Sequence, residues 1–272
     1  MDRDLWCICY DSETDLFLLK NQIQSLITFK NSLDYNIIIN EENSKVKHVR
    51  KCLKKMGIIT LLKTANFKFQ IWKATDFVKS SEMFKNGYVN QQILKLHVHR
   101  QSKFKEHVIL DTQQILISYD AYAIFHPKGH VSEESVIFKK TYIKYCRLWH
   151  NNEHIPVRPS TTPYLFKSNI LIALEKSFKK RSNYIDHLQD FNISEFALYN
   201  LFEQMYDPNY KEIIGYPMAS TLWLPDENGS YKKSSNNEIT VAIHSKSVNK
   251  IGKEKYMKII SKIINQNKYS FL

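Results

Sequence analysis

Gly87-Tyr88-Val89-Asn90-Gln91-Gln92-Ile93-Leu94-Lys95-Leu96 leads, after a short linker, into Val108-Ile109-Leu110-Asp111-Thr112-Gln113. The first segment reads as a helix carrying amides and a lysine, the second as an apolar strand that ends in an acid. In an open α/β sheet, ligands sit beyond the carboxyl ends of the strands, so Asp111 is expected to project into the cleft. One carboxylate at a strand end suits a divalent cation held against a pyrophosphate, and Lys95 can neutralise part of what remains. Burying a carboxylate unpaired straight after Val108-Ile109-Leu110 is costly, and a strand end facing a cleft is where that cost is least. The plainer reading of Asp111 is a turn or helix-cap aspartate.

Working outward, residues 5–10 form a continuous apolar run, the mark of a strand covered on both faces. Ser12 or Thr14 can cap a helix in which Leu16, Leu19, Ile23, Leu26 and Ile27 recur at helical spacing. Residues 35–39 read as a second strand, so the opening needs a right-handed crossover and points to a parallel sheet. Residues 45–56 read as a basic helix closed by Gly57, with strands at 58–62 and 67–72 and a short helix capped by Thr75. Short strands are expected at 115–117 and 121–125. Helices follow at 133–149, 168–180 and 194–205, then strands at 221–224 and 238–243 and a final amphipathic helix at 253–264. The organisation predicted is one α/β domain, nucleotide-binding up to about residue 130 and more helical over 131–272.

The chain has 272 residues, 43% of them hydrophobic and 13% aromatic, enough for a large core, and no apolar stretch is long enough to span a membrane. Met1-Asp2-Arg3-Asp4 runs straight into an apolar strand, which is not the layout of a secretory signal. The four cysteines contain no Cys-x-x-Cys pair, and Cys7 and Cys9 share a strand face as core residues do. A reducing, cytoplasmic setting is expected. Lys and Arg total 39 against 27 Asp and Glu, a formal charge of +12. The excess concentrates at Lys45, Lys47, Arg50, Lys51, Lys54 and Lys55, and again at Lys246, Lys250, Lys253, Lys255, Lys258 and Lys262, which face only Glu254. Such patches attract polyanions, and they also describe an ordinary solvated helix face.

The order of parts resembles the GT-A nucleotide-sugar glycosyltransferases, and within them a poorly characterised bacterial and phage branch. The likeness rests on the strand–helix–strand opening, on Gln91-Gln92-x-x-Lys95-Leu96, on Leu110-Asp111-Thr112 and on Ser194-Glu195-Phe196-x-x-Tyr199. It implies a GT-A-like, Rossmann-type mixed sheet, mainly parallel and flanked by helices, with a more helical acceptor-side half. It also implies transfer of a sugar from a nucleotide-diphosphate donor to a hydroxyl acceptor. Given the charge, that acceptor is a glycan or a nucleic acid, such as hydroxylated phage DNA in a DNA-modification role.

The family usually carries Asp-x-Asp at this strand end, and here the residues are Asp111-Thr112-Gln113. Gln113 offers a neutral oxygen and no charge, which weakens a Mn²⁺ or Mg²⁺ site. The expected metal set is Asp111, Gln113 and His244, with cationic side chains as the substitute. Asp11 and Asn40 end the first two strands and would line the base and ribose pocket, with Gln91, Gln92 and Lys95 on the phosphate side. Glu195, at a helix N-terminus that stabilises any carboxylate, would act as general base in an inverting reaction or position the acceptor in a retaining one. Asp111 and Glu195 are thus the catalytic candidates, while His126, His130 and His154 show no ligand spacing.

Two other functions compete. Asp11-Ser12-Glu13 together with Asp111 is compatible with a two-metal nuclease, although a helix, not an antiparallel strand, follows at once. Charge with 16 Tyr and 15 Phe is compatible with a non-catalytic nucleic-acid-binding protein. Neither a P-loop nor a Gly-x-Gly-x-x-Gly loop is present, which leaves kinase and dinucleotide-dehydrogenase chemistry without local support.

Overall fold

Strand β1 (Arg3–Cys9) runs down the middle of the main sheet, and this position explains its unbroken apolar sequence. Leu5, Cys7 and Cys9 enter the core on one face, while Trp6 and Ile8 enter the core on the other. The chain is described by a computed structural model over residues 3–28, 34–40, 43–79, 87–116, 162–179, 195–208, 219–222, 240–243 and 245–268.

Helix α1 (Glu13–Thr28) starts where Ser12 Oγ accepts the Asp15 amide at 3.0 Å, and it buries Leu16, Leu19, Ile23 and Leu26. Strand β2 (Tyr35–Ile39) returns parallel to β1, with Cys7 opposite Ile37. Helices α2 (Asn43–Lys55) and α3 (Ile58–Thr64) then lead to β3 (Phe69–Lys73), parallel to β2. Helix α4 (Gly87–Leu96) crosses to the opposite face and delivers β4 (Glu106–Asp111) to the other side of β1, with Ile8 opposite Asp111. Beyond the turn at Thr112 and Gln113 lies β5 (Gln114–Leu116).

Strand β6 (Tyr164–Lys167) closes the five-stranded sheet antiparallel to β4, in the order β3-β2-β1-β4-β6. Helices α5 (Ser168–Lys179) and α6 (Glu195–Tyr206) cover the α4 face. A second sheet, in the order β5-β8-β7, is built from β5, β7 (Ala219–Leu222) and β8 (Thr240–Ile243). Helices α7 (Ser245–Ile251) and α8 (Lys253–Lys268) pack on it through Val248, Tyr256, Ile260 and Ile263. Among the described residues no helix is long and apolar enough to cross a membrane.

At the amino-terminal edge of the strands, Asp4 Oδ1 meets His107 Nδ1 at 2.8 Å, and His107 Nε2 meets Ser168 Oγ at 2.8 Å. Ser102 Oγ donates to the other Asp4 oxygen at 2.6 Å. This buried chain fixes β1, β4 and the start of α5 to one another and leaves the carboxyl edge to carry the site.

The fold is a mixed, mainly parallel α/β sheet flanked by helices, as the resemblance implies, with the parallel strands that the patterning predicts. One element differs. Residues 58–62, expected as a strand, lie in α3, where Ile58 and Leu62 are buried one turn apart and Thr60 is exposed. Five mostly apolar residues do not separate a period of 3.6 from a buried strand; Gly57, at φ 75°, closes α2 as expected, its amide donating to Lys54 O, and also leads into α3. The following strand starts at Phe69, not at residue 67. The strand expected at 121–125 and the helix at 133–149 lie outside the described residues, as do His126, His130, His154 and His244.

Candidate functional site

Strands β1, β2 and β3 are added in one direction, and β4 is then added on the opposite side of β1. The strand order therefore reverses between β1 and β4, and ligands of open α/β sheets bind beyond the carboxyl ends at such a reversal. Asp111 is the last residue of β4, and its side chain is 25% exposed at this edge.

Helix α4 supplies the partners of Asp111. Lys95 Nζ lies 2.9 Å from Asp111 Oδ1, and Gln91 Nε2 donates to the same oxygen at 3.3 Å. The four-residue spacing of Gln91 and Lys95, one turn apart on one helix face, makes this shared contact possible. Lys95 Nζ also lies 2.8 Å from Glu195 Oε1, at the start of α6, and 4.8 Å from the centre of the Phe196 ring. The side chains of Lys95 and Glu195 are only 5% and 4% exposed. Burial alone would depress the lysine, but Asp111 and Glu195 outweigh it and hold the ammonium above its ordinary range.

The other Asp111 oxygen accepts from Thr162 Oγ1 at 3.1 Å. The backbone at this strand end is held too. Gln22 Nε2, from α1, donates to Asp111 O at 2.6 Å and to Gln114 O at 3.1 Å, and the Asp111 amide donates to Gln114 Oε1 at 3.2 Å. Gln114 Nε2 in turn donates to Thr162 O. A carboxylate at the corner between two sheets is thereby fixed at its backbone and at both oxygens.

The start of α4 is clamped against the ends of β1 and β2. Tyr10 OH donates to Gly87 O at 2.6 Å, and Asn40 Nδ2 donates to the same carbonyl at 2.9 Å. A Cβ on Gly87 would come within 2.8 Å of the Tyr10 ring, so glycine is required by this close approach. Asn40 Oδ1 is buried and without a hydrogen-bond partner among the described residues.

Four of the candidates named from the sequence therefore converge: Asp111, Lys95, Gln91 and Glu195. Gln92 is buried and hydrogen-bonds Tyr88, whose ring is exposed. Asp11 is half-buried just past β1, Asn40 braces α4, and Gln113 is half-buried in the turn after β4. Sequence reading misses Tyr10, Gln22, Gln114 and Thr162. Gln114 was one residue away from the amide chosen, and nothing local to Thr162 marks it as a neighbour of Asp111. Asp15 is a further carboxylate nearby: it accepts from Thr112 Oγ1 at 3.4 Å, and burial lifts it above its ordinary value against the Ser12 and Thr112 hydrogen bonds.

Among the described residues no group of three or more His, Cys, Asp or Glu is placed to hold a metal ion. Asp111 Oδ1 already accepts from an ammonium and an amide, so a metal ion on that oxygen would sit against a like charge. These residues do not fit a tightly held divalent cation. The acids of a two-metal nuclease do not gather here either, because Glu13 pairs with Lys253 on the surface.

Strand order and site together define an open α/β chain with an acid–lysine–acid cluster at its topological reversal. Among solved structures, it is similar to the galactosyltransferase LgtC in complex with donor and acceptor sugar analogues, at 10% identity over 95% of each chain with a TM-score of 0.48. An active-site mutant of LgtC gives 10% identity over 95% of each chain and a TM-score of 0.45. S. aureus TarS, residues 1–349, gives 7% identity over 72% of this chain and 55% of that one, with a TM-score of 0.34. Overlaps this loose leave the fold to be read from the strand order itself. No protein-family model and no curated protein matches the chain.

Proposed function

We propose that the chain transfers a glycosyl group from a nucleotide-diphosphate sugar to a hydroxyl acceptor. The observation that carries this reading is the Lys95 ammonium lodged between Asp111 and Glu195 at the point where the strand order reverses. In the reaction, the bond between the anomeric carbon and the diphosphate breaks, and a bond from the acceptor oxygen forms. The nucleotide diphosphate leaves with the electron pair, and the acceptor's proton passes to the departing diphosphate.

In this reading Asp111, the partly exposed member of the cluster, meets the donor through the oxygen it shares with the Thr162 hydroxyl. An ammonium has three N–H donors, and two are directed at Asp111 and Glu195, which leaves one for a phosphoryl oxygen. A fixed cation aimed at the leaving group is the largest lever such a site has. Asp11 and Asn40, just past the ends of β1 and β2, flank the base and ribose, and Gln91 keeps Asp111 in place. Glu195, 2.8 Å from the ammonium and 4% exposed, positions Lys95. The donor belongs to residues 1–130 and the acceptor to 131–272 of the same domain. No step is assigned to Mn²⁺ or Mg²⁺.

The test is thermal-shift binding across nucleotide sugars and free nucleotides, with and without Mn²⁺, for the wild type and Asp111→Asn. A ligand at a hundred times its Kd stabilises the folded state by about 2.7 kcal/mol, an easily read shift. One nucleotide class should raise Tm without added metal, and the variant should lose that response. No shift with any nucleotide would sink the reading.

A further inference from the structure

The two basic segments of the sequence differ once folded. On α8, Lys253 pairs with Glu13 and Lys258 with Glu254 at 3.1 Å. Residues 43–79 hold ten Lys or Arg against a single acid, Asp76. On α2, Lys47, Lys51, Lys54 and Lys55 are all exposed, and none has an ion pair among the described residues. Arg50 is engaged by its own fold, donating to Ile71 O at 3.0 Å.

The four lysines share one face. At 3.6 residues per turn they fall within an arc of about 100°, with Val49 and Leu53 buried on the other side. Along the axis Lys47, Lys51 and Lys54 are about 6 and 4.5 Å apart, and Lys55 lies about 1.5 Å beyond Lys54. Among the described residues the exposed large apolar side chains, Tyr88, Ile172, Met205, Tyr206 and Met257, all lie outside residues 43–79. Among its described residues the flank therefore offers closely spaced charge, with neither an exposed aromatic for base stacking nor an apolar wedge for a bilayer.

We infer that the exposed lysine face of α2 docks a duplex nucleic acid through its phosphates, without reading the bases. A duplex carries one negative charge per about 1.7 Å of axis, the densest linear partner for such a face. The inference concerns binding alone and stands whether or not sugar transfer does.

The test is fluorescence anisotropy with labelled DNA duplexes of two unrelated sequences, a single strand of equal length, and anionic phosphatidylserine vesicles. Four neutralised phosphates give a log–log salt slope of about −3.6, a loss of roughly 150-fold in affinity between about 50 and 200 mM salt. Both duplexes should bind equally and more tightly than the single strand or the vesicles. K47Q/K51Q/K54Q/K55Q changes only exposed side chains and should weaken duplex binding at least tenfold and flatten the slope, while K250Q/K258Q should change neither. An unchanged slope in the fourfold variant, or an equal loss in K250Q/K258Q, would overturn the inference. Preference for the vesicles would overturn it as well and reassign the face to a membrane surface.

Discussion

Replacing Lys95 by methionine removes the ammonium and keeps most of the side chain's volume against Phe196. Two carboxylates then lose their nearest cation, one of them 25% exposed and the other 4%. Asp111 is partly exposed and keeps Thr162 and Gln91 as donors, so little of the cost arises there. Glu195 is different: it is sealed from water and loses its nearest cation. Removing one partner of a buried ion pair costs about 3–5 kcal/mol, and the lost contact with the Phe196 ring adds about 0.5–2 kcal/mol. Urea unfolding, followed through the buried Trp6, reads the loss. Adding Glu195→Gln should return part of the stability, with a coupling of at least about 1.5 kcal/mol between the two positions. A loss below about 1 kcal/mol, or no coupling between the two positions, would refute the picture of a buried, mutually dependent pair.

Two further outcomes follow from other parts of the fold. Gly87→Ala should cost about 1–3 kcal/mol, because the new methyl meets the Tyr10 ring at 2.8 Å, and Tyr10→Ser in the same chain should recover much of it; a lone Gly87→Ala that gains stability would dismiss the close approach. Burial, with the Arg100 guanidinium nearby, pushes His97 down to about 3, so the unfolded chain binds the proton first as pH falls below 6.5. Its contribution to stability is complete above pH 6.5 and is lost on acidification, by about 2 kcal/mol between pH 6.5 and 5. His97→Asn should show a shallower acid slope in urea midpoints, and an unchanged slope would mean that His97 is solvated.

Much of the main sheet was legible because its strands are buried on both faces. The runs at 5–10, 35–39 and 108–111 have no amphipathic alternation to mislead, and each lies between helical periods. Gln91 and Lys95 were legible as a pair for a similar reason, since helical spacing is periodic and four residues bring two side chains over one target. What the pattern could not give was the third dimension of the site. Tyr10, Gln22 and Thr162 reach Gly87 or Asp111 across separations that no local signal encodes. The reversed assignment of 58–62 has another cause: a run that short satisfies both periods, and only the packing of Ile58 and Leu62 on the sheet decides between them. Basic character was read correctly as a property of the segment 45–55, but which lysines lack an acid nearby emerges only once α8 is seen paired with its own neighbours.

The second sheet has a consequence for biogenesis. Strand β5 follows directly on Asp111, yet its partner β8 is encoded far downstream, with Gln114 set opposite Ala242. On a ribosome, β1, β2, β3 and β4 can assemble while β5 still presents an unpaired edge. Pairings of such long sequence separation are slow to form, and exposed strand edges invite intermolecular pairing meanwhile. Gln22 spans that interval, since it grips the carbonyls of both Asp111 and Gln114 from a helix already synthesised. A nascent chain lacking this amide would emerge with the same residues and a longer window for aggregation. The yield of soluble protein would then register Gln22→Ala more sharply than the equilibrium stability of molecules that finish folding.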